Sequence, residues 1–118
     1  AATSASNRIL FDSRTGTGID GVMLFVASSG ALTLDMRGSS TTAAASVAAT
    51  WTAGQCRNIA MRWTAAGCPF VSLDGAETAG SCNAGAVPAL HGAVLTIGSR
   101  FTGSDQANGS IDSLEAGR

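Results

Sequence analysis

Two carboxylates on one face of a strand would be the clearest sign of an enzyme in this chain, because such a pair can supply the acid and the nucleophile of glycosidic cleavage. The closest acidic pairs among the eight acidic residues are Asp74 with Glu77 and Asp112 with Glu115. Both pairs are three residues apart, whereas side chains on one face of a strand are two residues apart. His91, the only histidine, has no serine or cysteine partner in an evident motif. We therefore predict no catalytic residues and no enzyme.

Aromatic and polar loop residues are the candidates for ligand binding. Trp51 lies in the loop before the central predicted hairpin, where a partly exposed indole could stack on a sugar ring. The polar candidates are Asp12, Arg14, Arg100 and Asp105, which could hydrogen-bond to hydroxyl or carboxylate groups. Each has an ordinary alternative, since isolated arginines lie on solvated strand faces and aspartates cap turns.

The three cysteines bear on the redox environment. If residues 74–76 form a three-residue turn, Cys68 faces Cys82 across the hairpin and a disulfide is geometrically plausible. A disulfide indicates an extracellular or virion setting, and two reduced thiols are the alternative. Cys56 is most simply a small apolar core residue.

The elements that position these residues are short strands separated by Gly-rich turns. Residues 57–75 predict a hairpin in which Ile59, Met61 and Trp63 share one face, and we expect Trp63 in the core. Residues 39–49 are rich in Ala but have no apolar helical stripe, which favours a weak or edge strand. The other predicted strands are residues 9–11, 22–27, 32–37, 77–82, 93–99 and 110–114. The pattern predicts an all-β, two-sheet antiparallel sandwich of the jelly-roll class, with residues 1–8 as a flexible start and 9–118 as one domain.

Charge and hydropathy exclude several classes of partner. All seven basic residues are Arg, none is Lys, and the formal net charge is -1, so we expect no nucleic-acid partner. No apolar run has the length of a membrane span, so we expect no membrane insertion.

The order of several short motifs resembles that of the laminin-G-like, concanavalin-A-like jelly roll. The motifs are ILFDSR from residue 9, VSLDG from residue 71, LTIG from residue 95, and Phe101 followed by GSIDSL from residue 109. The resemblance covers roughly residues 9–115. Cys56 stands where the family usually has Trp, and the family's first and last strands are short or missing here.

The resemblance implies a non-catalytic recognition module that binds a glycan or a protein partner through rim loops at residues 12–20, 51–55 and 100–108. It also implies a calcium site at a rim as an alternative to no cofactor, with Asp20 and Asp105 as candidate ligands. A structural assembly module of a virion is the second interpretation, and a glycan-cleaving enzyme is the least favoured. We expect a homo-oligomer or part of a longer chain, at the extracellular or virion surface.

Overall fold

A computed structural model describes residues 7–14, 20–39, 41–88, 96–98, 111 and 113–115. The described chain folds into two antiparallel sheets, which confirms the predicted all-β sandwich. The strands are β1 (Arg8–Asp12), β2 (Gly21–Val26), β3 (Leu32–Arg37), β4 (Thr42–Val47), β5 (Ile59–Trp63), β6 (Pro69–Leu73), β7 (Ala76–Ala79) and β8 (Thr96–Ile97), with a short 3-10 helix at Ala84–Ala86. No helix in these ranges is long and apolar enough to span a membrane.

The core lies between a five-stranded sheet of order β4-β3-β2-β1-β8 and a three-stranded sheet of order β5-β6-β7. Strict alternation places Leu32, Leu34 and Met36 of β3 inward, each fully buried. Val71 of β6 faces them from the opposite sheet and is also fully buried. Burial of one side of β3, β4 and β6 explains why the period of two in the sequence predicted these strands well.

The Ala-rich segment forms β4, an edge strand of the five-stranded sheet, as predicted. Ala43 and Ala45 are buried, while Thr42, Ala44 and Ser46 are exposed. Their period of two outweighs the helix propensity of alanine because the strand buries one apolar face against β6 and β7. The small side chains also let the two sheets approach closely.

The chain leaving β7 crosses close to β4. A Cβ atom on Gly80 would lie 1.9 Å from the carbonyl oxygen of Ala44, so only glycine permits this approach. Farther along, the Asn83 side chain donates from Nδ2 to the Thr42 carbonyl at 3.5 Å and accepts from the Gly85 N–H at 3.1 Å. The segment after β7 therefore ties the small sheet to the edge of the large one.

The turn between β6 and β7 has two residues, so the expected three-residue turn is wrong. Leu73 pairs with Ala76, and Asp74 and Gly75 adopt φ values of 51° and 87°. Successive positive φ values are those of a type I′ turn, for which Asp-Gly is a preferred sequence. β7 accordingly starts at Ala76 rather than at Glu77.

Cys68 and Cys82 form a disulfide despite the different turn. The register set by the turn would place Cys68 opposite Ser81. The Gly80 N–H donates to the Pro69 carbonyl in that register, but the Asn83 N–H donates to the Gly67 carbonyl, one residue out of it. This shift brings Cys82 opposite Cys68.

Three expectations about the core need correction. Trp63 is half-buried rather than central, because β5 is an edge of the three-stranded sheet. Cys56 is exposed, since it lies in the loop before β5 and not on the strand. Of the predicted last strand, the described residues include Ile111 and Leu114, which are 48% and 56% exposed and belong to no strand. β1 begins at Arg8, one residue earlier than predicted, and residues 1–6 lie outside the described ranges.

Candidate functional site

The strand directions divide the described loops between two ends of the sandwich. One end, here called the Trp51 end, carries the β2–β3 turn at residues 27–31, the β4–β5 loop at residues 48–58 and the β6–β7 turn at residues 74–75. The opposite end carries the disulfide and the loop that follows β1. The predicted rim segments at residues 12–20 and 51–55 therefore begin at opposite ends and do not form one site.

Trp51 is anchored at the Trp51 end. Its indole Nε1–H donates to the carbonyl of Gly30 in the β2–β3 turn at 2.7 Å. The ring is half-buried and packs against the edge of the core. The guanidinium of Arg57 lies over it, 5.5 Å from the ring centroid. The tryptophan is thus partly exposed, as predicted, and held in one orientation.

Arg57 fixes the other end of the same loop. Its Nε–H donates to Asp74 Oδ2 at 2.6 Å and its Nη1–H to the Thr50 carbonyl at 2.8 Å. Asp74 Oδ1 accepts the backbone N–H of Asn58 at 2.8 Å. The arginine therefore joins both ends of the loop to the β6–β7 turn. This role of Arg57 was not predictable from the sequence, because contacts between separate loops leave no mark in local sequence.

The residues between these anchors form the exposed part of the loop. Residues 52–56 are all exposed. The Gln55 N–H donates to the Thr52 carbonyl at 3.2 Å, and Gly54 takes a φ of 79° between them. Thr52 and Gln55 thus offer a hydroxyl and an amide in the same exposed loop, groups that hydrogen-bond to sugar hydroxyls. We call residues 51–56 the Trp51 loop.

Asp12 and Arg14 are interior residues, which corrects their expected place on a rim. Arg14 donates from Nε and Nη2 to the two carboxylate oxygens of Asp12, each at 2.8 Å. The side chains are 0% and 3% exposed for Asp12 and Arg14, respectively. The hydrogen bonds to Asp12 raise the pKa of Arg14. A ligand on the surface cannot contact them directly, so they are structural in the described chain.

A second cluster lies on the outer face of the three-stranded sheet. The Arg62 guanidinium lies over the Phe70 ring at 3.7 Å from its centroid. It also donates from Nε and Nη2 to both carboxylate oxygens of Glu77, at 2.8 and 2.6 Å. The hydrogen bond from Arg62 lowers the pKa of Glu77. We call these three residues the Arg62 cluster.

A laminin G family model, described as the concanavalin A-like lectin/glucanases superfamily, matches residues 1–116. The chain belongs to this superfamily. No curated protein and no solved structure matches the chain significantly. The match to the family model confirms the resemblance seen in the sequence motifs. The superfamily includes both lectins and glucanases.

Carboxylates distinguish a glucanase from a lectin, because a glucanase needs a pair of carboxylates at the bond that it cleaves. Four carboxylates on the described strands and turns each pair with an arginine: Asp12 with Arg14, Asp35 with Arg37, Asp74 with Arg57, and Glu77 with Arg62. A general acid needs a raised pKa. The pKa values of Asp74 and Glu77 are lowered instead.

The remaining candidate residues are only partly described. Asp20, proposed as a calcium ligand, is half-buried next to the start of β2. Among the described residues, no group of three His, Cys, Asp or Glu side chains could hold a metal ion. Arg100, Asp105 and His91 lie outside the described ranges.

Titration of Asp74 tests its contact with Arg57. We expect carboxyl carbon NMR to find its pKa below the ordinary value for aspartate, chiefly because it accepts the Asn58 N–H and secondly because of Arg57. Its stabilising contribution is then present above the pKa of the unfolded chain and is lost as the pH falls through the lowered pKa. In Arg57→Met, the pKa should rise but stay below the ordinary value. An unchanged pKa in that variant would contradict the contact between Arg57 and Asp74.

Proposed function

We propose that this domain is a non-catalytic recognition module that binds glycan at the Trp51 end. The observation that carries the proposal is an exposed loop held at both sides: Trp51 is bonded to the β2–β3 turn, and Arg57 to the β6–β7 turn. Binding residues are often presented on loops that a rigid scaffold positions. Membership of a superfamily that includes lectins supports glycan as the ligand.

The loop's chemistry supports a shallow sugar site. A half-exposed indole can stack on a pyranose ring, and the neighbouring Thr52 and Gln55 can donate to and accept from its hydroxyls. The anchors reduce the conformational entropy that the loop would lose on binding. Such a site binds at the surface and needs no enclosed cavity between the sheets.

The ion pairs support the non-catalytic part of the proposal. Asp74 is the carboxylate at this end whose geometry is described, and both its oxygens accept hydrogen bonds, from Arg57 and Asn58. Its lowered pKa keeps it ionised at neutral pH, so it is a poor proton donor. The disulfide supports an extracellular setting, where such bonds persist.

A glycan array followed by titration calorimetry tests the proposal. We expect saturable binding by the wild type. The double variant Thr52→Ala with Gln55→Ala should weaken it roughly tenfold, since two hydrogen bonds of about 0.5 to 1.5 kcal/mol each are lost. Thr42→Ala with Ser46→Ala is the matched control, because it removes two exposed polar side chains from β4. The control should bind like the wild type.

Three results would count against this function. If no glycan binds saturably, the proposal that the ligand is a glycan is wrong. A protein that binds the wild type but not the Thr52→Ala, Gln55→Ala variant would then be the ligand of this loop. If both double variants lose glycan affinity equally, the binding site does not lie at the Trp51 loop. Release of new reducing ends from a bound glycan would contradict the non-catalytic role.

A further inference from the structure

The outer face of the three-stranded sheet carries the Arg62 cluster, which has one member on each strand. Arg62 on β5 reaches across β6 to Glu77 on β7 and covers Phe70 on the way. The side chains of Arg62 and Glu77 are still 52% and 41% exposed. The cross-strand register places Ala60, Ser72 and Ala79 on the same face, and both alanines are exposed. No bulky side chain in this register therefore prevents another surface from approaching the ion pair.

This face is electrostatically complementary to itself. Its positive end is Arg62 on one edge strand and its negative end is Glu77 on the other. A twofold axis in the plane of the interface, perpendicular to the line from Arg62 to Glu77, places each arginine over the glutamate of the other copy. In a twofold contact of this kind the same patch is used by both chains, and the two sheets would pack face to face.

The overall charge of the chain adds little repulsion to such an approach. The formal net charge is -1 and the chain has no Lys. A net charge near zero favours association between copies. The face consists of three strands of 5, 5 and 4 residues, and so small a face corresponds to a transient interface rather than to an obligate dimer.

We infer that the outer face of the three-stranded sheet binds a second copy of this chain through exchanged Arg62–Glu77 contacts. The contact is independent of the Trp51 loop, so each can fail without the other. It uses the outer face of the sheet and leaves the backbone edges of both sheets uninvolved.

Variants that reverse the charge at residue 62, at residue 77 or at both test the inference in the folded protein. Self-association is measured by sedimentation and by amide NMR shifts over a range of concentrations, in a Cys56→Ser background that excludes dimers linked through the exposed thiol. We expect concentration-dependent shifts at Ala60, Arg62, Ser72, Glu77 and Ala79. Glu77→Arg alone, or Arg62→Glu alone, should weaken association at least roughly tenfold, because like charges then meet across the axis.

The double variant Arg62→Glu with Glu77→Arg tests whether self-association depends on the complementarity of these two charges. It restores both the internal ion pair and the complementarity between copies, so association should return close to that of the Cys56→Ser parent. A strictly monomeric parent at millimolar concentration would overturn the inference. So would association that single reversals leave unchanged, or that the double exchange fails to restore. Circular dichroism checks that every variant is folded.

Discussion

Asp12→Asn should lower the free energy of unfolding by about 3 to 5 kcal/mol, the usual cost of breaking a buried ion pair by removing one charge. Asp12 is fully buried, and its carboxylate accepts the Arg14 Nε–H, Nη2–H and backbone N–H. The amide keeps the shape but loses the charge that neutralises a buried guanidinium. Denaturant melting of both proteins gives the difference directly.

The chain contains a matched control for this variant. Asp35 and Arg37 repeat the D-x-R spacing of Asp12 and Arg14 on β3, and their side chains are 13% and 30% exposed. Asp35→Asn should therefore cost no more than about 1 kcal/mol, as solvent screens a partly exposed pair. If Asp12→Asn and Asp35→Asn cost the same, the burial assigned to Asp12 is wrong.

Removing the disulfide with Cys68→Ala and Cys82→Ala should lower the unfolding free energy by about 3 kcal/mol. The two cysteines are 14 residues apart, so the bond closes one short loop and restricts the unfolded chain. It also holds the start of the segment that ties β7 to β4. Chemical denaturation of the oxidised wild type and of the double variant measures the effect.

Cys56→Ala provides the control for that measurement. Its thiol is exposed and outside the bond, so we expect a change within about 0.5 kcal/mol. Peptide mapping without reductant should find Cys68 joined to Cys82 and Cys56 free. Three free thiols, or a double variant as stable as the wild type, would show that the bond does not form or does not stabilise the fold.

Much of the fold could be predicted because β3, β4 and β6 each bury one side. Leu32, Leu34 and Met36 alternate with polar residues, and this pattern alone predicted β3 and its inward face. Ala43 and Ala45 follow the same rule in β4, where residue preference favoured a helix. The apolar period of two outweighs the helix propensity of single residues when tertiary contacts cover one face of the strand.

Properties that depend on distant segments were not predictable from local pattern. Trp63 has the spacing of a core residue, but its strand lies at an edge of the sheet, and strand order is not visible in one sequence. Asp12 and Arg14 lie in a stretch whose composition is typical of a loop, yet both are buried. The D-x-R spacing was the available signal, since an arginine two residues after an aspartate can reach its carboxylate.

In the candidate site, too, local features were predictable from the sequence and contacts between distant segments were not. Partial exposure of Trp51 followed from its place in a polar loop, and the structure agrees. Its bond to Gly30, 21 residues away, and the bond of Arg57 to Asp74, 17 residues away, join three separate loops. The anchored geometry on which the proposed function depends therefore emerges only from the folded chain.

Amide NMR mapping with the strongest ligand from the glycan array tests recognition at the Trp51 end most directly. We predict that saturating ligand shifts the Trp51 indole N–H signal and the amide signals of residues 52–56, with small changes at Asn58 and Gly30. Shifts confined to the outer face of the five-stranded sheet, around Thr33 and Ser46, with the Trp51 indole signal unmoved, would contradict the account.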